Sequence, residues 1–316
     1  MASLSTIGFN GGVREFEFVN DSIGYALLGN NVGGGVEVFK TIDGGKLWSD
    51  LEISSSQFPQ GMTFRNEQIG IITVHDVTGC PPPNCENRTV VLLTDDGGAT
   101  WEERIVAGFN GRLSHPTYDA ECNLYALLSL DTEHSILKST DDGRTWEVHF
   151  ESPEIEYRLV TFGFTIAAGE FYVGGSNGTL LIVNREGELD RILEYEDAPL
   201  WDLEVIDPET IVIATSGQLI KTIDGGTTWK VISDESARII GFNSADRGTV
   251  LLRKSDCPGD VYQVNDVLAV TYDGADSWIE PEETTTNLRL DFQDRFQMPN
   301  GDWYVMVDNE LLATRF

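Results

Sequence analysis

One eight-residue pattern recurs along this chain and dictates a repeated all-β fold. A hydroxyl residue is followed by Asp two positions on, Gly four positions on and Trp seven positions on. The copies are Thr41/Asp43/Gly45/Trp48, Thr94/Asp96/Gly98/Trp101, Ser139/Asp141/Gly143/Trp146 and Thr222/Asp224/Gly226/Trp229. A fifth, Thr271/Asp273/Trp278, has Ala275 where the others have Gly. The Trp spacings are 53, 45, 83 and 49 residues. The long gap predicts a further copy without Trp, and Leu180 to Gly187 fits that place. Apolar, strand-like residues precede each copy, as in Val36 to Phe39, so each is the turn of a β-hairpin. The carboxylate can accept turn N–H groups, Gly supplies positive φ, and the Trp folds back over the hairpin. Burying each Trp is worth roughly 2–3 kcal/mol.

Two more strand candidates lie upstream of each hairpin. In the first unit they are Arg14 to Val19 and Ile23 to Leu28, joined at Asn20-Asp21. The second repeats this with Met62 to Phe64, Asn66 and Ile69 to Val74. Four antiparallel strands in about 45 residues is the period of a propeller blade. The expected fold is therefore all-β: one domain over 1–316, a seven-bladed β-propeller of four-stranded antiparallel blades. The blades fall near 11–53, 60–106, 111–151, 157–195, 199–234, 237–282 and 287–316. The last has three strands, Leu290 to Phe292, Trp303 to Met306 and Leu311 to Thr314, and segment 4–9 is expected to complete it and close the ring.

Charge narrows the function. Lys+Arg number 21 against 52 Asp+Glu, a net charge of −31, which argues against nucleic acid and anionic lipid as partners. No apolar run reaches membrane-spanning length. His75, His115, His134 and His149 show no metal-ligand spacing, the four Cys show no zinc spacing, and glycine motifs for phosphate or dinucleotide are missing, so neither metal nor cofactor is expected. Cys80 and Cys85 bracket a Pro-Pro-Pro-Asn loop that could close as a disulfide, favouring an oxidising compartment. Asn20, Asn87 and Asn177 begin sequons that matter only in a eukaryotic secretory host.

The hairpin pattern resembles the Asp box, or BNR repeat, found in sialidases, sortilin-type receptors and xyloglucanases. The longer pattern, Phe16 and Phe18, Asn20, Ile23-Gly24-Tyr25-Ala26, then Val38 to Trp48, resembles the Ycf48/HCF136-like propellers, which include photosystem II assembly factors. That resemblance covers nearly the whole chain. It implies that Asp43, Asp96, Asp141, Asp224 and Asp273 are structural, and that function sits on the opposite face. It also implies a secreted or periplasmic monomer that binds a protein or an anionic group.

On that face, Arg14, Arg158, Arg238 and Arg289 fall near the starts of innermost strands, and Arg112 joins them. Guanidinium groups converging there would clamp a carboxylate, phosphate or sulfate; the alternative is that each pairs with an acidic neighbour such as Glu15 or Asp291. Two long loops, Asp76 to Arg88 and Lys254 to Asn265 with Tyr262, project from the same side. A sialidase needs an arginine triad and a Tyr–Glu pair. The Phe-Arg-Ile-Pro-type segment is absent near Arg14, and Tyr262 has no assignable Glu. The expectation is a non-catalytic binding or assembly scaffold. The alternatives are a glycosidase, whose two spaced carboxylates such an acidic chain could supply, and a glycan-binding adhesin, which would need exposed Trp or Tyr platforms there; Trp201, the one Trp near an innermost-strand start, is expected to pack between blades instead.

Overall fold

The computed structural model describes residues 2–6, 12–29, 35–53, 57–76, 88–130, 133–151, 159–175, 178–195, 200–242, 244–255, 264–280, 295–297, 303–307 and 310–314. Two compact units result: Met1–Ile155 with Asp291–Phe316, and Glu156–Leu290.

In the first unit, β1 (Ala2–Thr6) precedes three meanders. The first sheet is β2 (Gly12–Phe18), β3 (Gly24–Gly29), β4 (Val36–Thr41) and β5 (Ser49–Asp50). The second is β6 (Phe58–Phe64), β7 (Gly70–Asp76), β8 (Arg88–Thr94) and β9 (Glu102–Asn110). The third is β10 (Arg112–Tyr118), β11 (Leu124–Leu130), β12 (Glu133–Ser139) and β13 (Glu147–Glu151). The second unit holds β14 (Leu159–Ala167), β15 (Glu170–Gly175), β16 (Thr179–Val183) and β17 (Leu189–Glu194) in one sheet. The next sheet is β18 (Leu200–Val205), β19 (Ile211–Thr215), β20 (Leu219–Thr222) and β21 (Lys230–Ser233), and then come β22 (Ala237–Phe242), β23 (Gly248–Ser255) and β24 (Val264–Thr271). Back in the first unit, β25 (Arg295–Gln297), β26 (Trp303–Val307) and β27 (Glu310–Thr314) form a sheet with β1 on the outer edge of β27.

The expected seven four-stranded blades are therefore corrected. The structure has six four-stranded blades, and β22–β24 make a sheet of three strands among the described residues. The reason lies after the degraded turn. Beyond Trp278 the pairing shrinks to one bridge, Val270 with Ile279. Among the described residues the inner strand of the terminal sheet is Arg295–Gln297; Leu290 to Phe292 lies outside them.

Burial follows strand position. Middle strands are covered on both faces, so β8, β16, β19 and β20 are buried along almost their whole length. The outer β9 is mostly exposed. Tyr25, Val38, Met62, Phe64 and Ile72 pack the first sheet on the second; Ile71, Val91, Leu113 and Leu137 pack the second on the third. Phe18 lies on Gly24, where an added Cβ would come within 2.6 Å of its ring; Phe64 lies on Gly70 at 2.3 Å and Phe242 on Gly248 at 2.3 Å. The recurring Phe and Gly, six residues apart, are thus one packing device.

The five Asp turns share their bonding. The Thr41 hydroxyl donates to Asp43 Oδ1 at 2.9 Å and accepts the Gly45 N–H at 2.9 Å, while Asp43 Oδ1 accepts the Leu47 N–H at 2.9 Å. Asp96, Asp141, Asp224 and Asp273 repeat this. Hydrogen bonds therefore hold all five carboxyls below the usual carboxylate range against the opposing effect of desolvation, which at Asp141 is the largest single contribution.

The Trp residues do not share one hydrogen-bonding pattern: three bond to their own turn and two do not. Trp48, Trp101 and Trp146 each donate Nε1–H to the turn Gly carbonyl at 3.0, 3.1 and 3.0 Å. Trp229 makes no such bond: its Nε1 is buried without a hydrogen-bond partner. Packing holds it instead. Its ring meets Tyr195 edge-on with centroids 6.0 Å apart, against the cluster that joins the β14–β17 and β18–β21 sheets. Trp278 donates to Ile232 O at 2.8 Å, in the preceding sheet. The Trp-less copy is present between β16 and β17, with Asn184 Oδ1 accepting the Glu186 and Glu188 N–H groups.

Candidate functional site

The Asp turns lie between third and fourth strands, so they and the starts of the innermost strands are at opposite ends of each sheet. At the latter end of the first unit, the starts of β2, β6 and β10 meet the end of β7 and the start of β8.

A bulge near the start of each inner strand shapes this end. The ladder skips between Val13 and Glu15, between Pro59 and Gly61, and between Ser114 and Thr117. Arg14, Gln60 and the pair His115-Pro116 are thereby taken out of strand pairing. In the second unit the skip between Leu200 and Asp202 does the same to Trp201. Bulges re-aim side chains at the rims of such sheets.

His115 has φ 53°, a left-handed value uncommon outside Gly. Its backbone N would lie 3.2 Å from a Cβ placed on Gly61, and Pro116 Cδ only 2.6 Å away, so glycine is what lets β6 and β10 approach. Its Nδ1 is buried with no hydrogen-bond partner. Burial, and then the Arg14 charge, push its pKa down to about 4, so the ring is neutral at neutral pH.

The carboxylates of β2 are committed to the neighbouring strand. Glu15 Oε2 accepts the Met62 N–H at 2.6 Å, and Glu17 Oε2 accepts the Phe64 N–H at 2.9 Å. Burial pushes Glu17 up to about 8, against the opposing pull of the Phe64 N–H and Thr63 hydroxyl. Asp76 is also engaged: it is 4% exposed and pairs with Arg88 at 2.8 Å. That ion pair closes the root of the long loop between β7 and β8. Thr89 Oγ1 donates to Gly111 O at 3.0 Å, fastening β8 to the residue before β10.

Arg112 follows that residue. It is exposed and makes no ion pair among the described residues. Its charge bears on His75, whose pKa is lowered by burial first and Arg112 second, with Asp76 opposing. His75 Nδ1 is buried without a hydrogen-bond partner, while the ring as a whole is part-exposed.

Of the arginines singled out in sequence, the structure brings Arg14 and Arg112 to this end at different register positions. Arg14 is the bulge residue of β2; Arg112 opens β10 opposite Ser129. Arg238 is in β22 opposite Leu251. The Arg238 side chain, Arg158, Arg289, Tyr262, Cys80 and Cys85 lie outside the described residues. Sequence reasoning missed His75, His115, Gln60 and the Glu15/Glu17 bonding. The signal available for the last was the alternation of acids with Phe16 and Phe18 along β2. Among the described residues no group of three His, Cys, Asp or Glu could hold a metal ion, and no helix is long and apolar enough to cross a membrane.

No family model matches the chain, and no curated protein matches it. Solved structures do. A streptogramin B lyase aligns over 97% of this chain and 94% of its own at 10% identity, TM-score 0.66. The WD40 β-propeller domain of Doa1 aligns over 98% and 94% at 13% identity, TM-score 0.62. Both likenesses show the β-propeller fold. The similar structures include Ycf48 bound to D1 peptide, at 16% identity over 78% of this chain and 91% of that one, TM-score 0.45.

Proposed function

We propose that this chain is a non-catalytic, exported binding scaffold that holds an acidic protein segment at the inner-strand end of its first unit. Arg112 carries the reading. In a chain of net charge −31 it is an exposed guanidinium with no ion-pair partner among the described residues. Uncompensated positive charge on so acidic a surface suits a partner's carboxylate. The nearby acids support binding over hydrolysis. A glycosidase needs two available carboxyl groups, whereas Glu15 and Glu17 are tied to backbone N–H groups and Asp76 to Arg88. The resemblance of the sequence to Ycf48-like propellers agrees with a scaffold role. The fold itself decides nothing here, since propellers host enzymes and binding modules alike.

The test is Arg112→Ala in a pull-down from the source organism, with thermal melting alongside. The reading expects partners recovered by the native chain to be lost at unchanged melting temperature. Unchanged recovery would overturn it.

A further inference from the structure

We propose that His75 and Arg112 together form the seat for a partner carboxylate, and that the carboxylate enters with a proton taken up on His75. This rests on the reading of the inner-strand end given above.

The geometry points to His75 as the second half of the seat. It is the last but one residue of β7, opposite Phe58 on one side and Thr89 on the other, neither of which is charged. Thr89 is fastened to Gly111, next to Arg112, so imidazole and guanidinium are held by one short connection between the second and third sheets. Among the described residues three charged groups bear on this place. Asp76 is its neighbour on β7, Arg88 on β8 pairs with Asp76, and Arg112 comes from β10. Asp76 is therefore largely spent on Arg88, and Arg112 has no ion-pair partner among the described residues.

In the free protein burial, with Nδ1 unpartnered, opposes protonation of His75 first, and the Arg112 charge opposes it second. A carboxylate placed against Arg112 reverses the local field. It compensates the guanidinium and faces the ring with negative charge, so imidazolium becomes favourable. The proton comes from solvent, and no bond in the partner changes.

The probe is a fluorescein-labelled peptide of six glutamates, followed by fluorescence anisotropy at constant ionic strength between pH 5.5 and 8. The glutamates stay ionised across that window. The native chain is expected to bind tighter as pH falls, by up to about tenfold for each unit by which the carboxylate raises the His75 pKa. His75→Gln, which keeps a side-chain N–H donor, is expected to bind at the native pH 8 level with a flat profile. Arg112→Ala is expected to lose binding throughout, with native circular dichroism. A native profile that stays flat while Arg112→Ala loses binding overturns the proton uptake and leaves the site in place. Native-like binding by Arg112→Ala overturns the site itself, as does failure of the native chain to bind the peptide at pH 5.5. A pH dependence that persists in His75→Gln assigns the proton to another group and overturns the role given to His75.

Discussion

Gly143→Ala tests whether the Asp turns are clamped by the preceding sheet as the packing implies. Gly143 has φ 85°, in the left-handed region. A Cβ there would lie 2.7 Å from Ile71 Cδ1, 3.2 Å from Leu93 Cδ2 and 3.5 Å from Leu124 Cδ2. Ile71 and Leu93 belong to the second sheet, so the turn of the third sheet sits directly on its neighbour's core. The left-handed conformation costs an alanine about 1–2 kcal/mol. Overpacking the Ile71 contact adds about 1–3 kcal/mol. The lower entropy of the unfolded alanine chain gives back about 0.4–1 kcal/mol. The net expectation is a loss of about 2–4 kcal/mol, read as a lower urea midpoint with an unchanged slope. Ala275, at φ 72° in the equivalent place of the fifth turn, is the internal control, because there the surroundings already accommodate a Cβ. Ala275→Gly should shift stability by no more than about 1 kcal/mol either way. A Gly143→Ala change below about 0.5 kcal/mol would refute the clamp.

Three further outcomes follow from the packing and titration of the same sheets. Gly70→Ala should cost about 1–3 kcal/mol, because its Cβ would meet Phe64 at 2.3 Å; a double-mutant cycle with Phe64→Leu should show strong coupling, and additivity would contradict the contact. Glu17 is raised to about 8, so the folded state holds its proton more tightly than the unfolded chain, and this group lowers stability as pH rises from about 4.5 to 8. Glu17→Gln should therefore flatten that part of the profile, its amide oxygen taking the Phe64 N–H; an unchanged slope in urea titrations at pH 5 and 8 would count against it. Asp273 is drawn down to about 2, by the Ser277 hydroxyl first and the Ser277 N–H second, so its stabilisation is present above the ordinary value of 3.8 and is lost as pH falls toward 2. Asp273→Asn should be less stable than the native chain at pH 6 and equal to it near pH 2, and a gap independent of pH would refute the assignment.

The repeated elements were legible because their causes are local. Thr41, Asp43, Gly45 and Trp48 bond to one another within eight residues, and the Phe18–Gly24 contact spans one hairpin, so each leaves a fixed spacing in the sequence. The copy without Trp was legible too, since Asn184 replaces the Asp by the same turn chemistry. What Trp229 and Trp278 do was not legible, because the neighbouring sheet decides it: Tyr195 packs on one and Ile232 accepts from the other. Nor was the number of complete blades. It depends on whether residues after Trp278 find a strand to pair with, and one bridge at Ile279 is all that the described residues form. The candidate site was half legible. Arg14 and Arg112 stand out by type and place. The bulge that aims Arg14, the left-handed His115 and the unpartnered His75 arise from contacts between sheets that are distant in sequence, such as Gly61 with Pro116.

The central claim is that the inner-strand end of the first unit binds acidic segments. Amide hydrogen exchange with and without the six-glutamate peptide at pH 5.5 tests it most directly. The account predicts slower exchange at Arg14, His75, Asp76 and Arg112, with no change at the turns around Asp43, Asp96 and Asp141. Protection confined to those turns, or none anywhere, would contradict it.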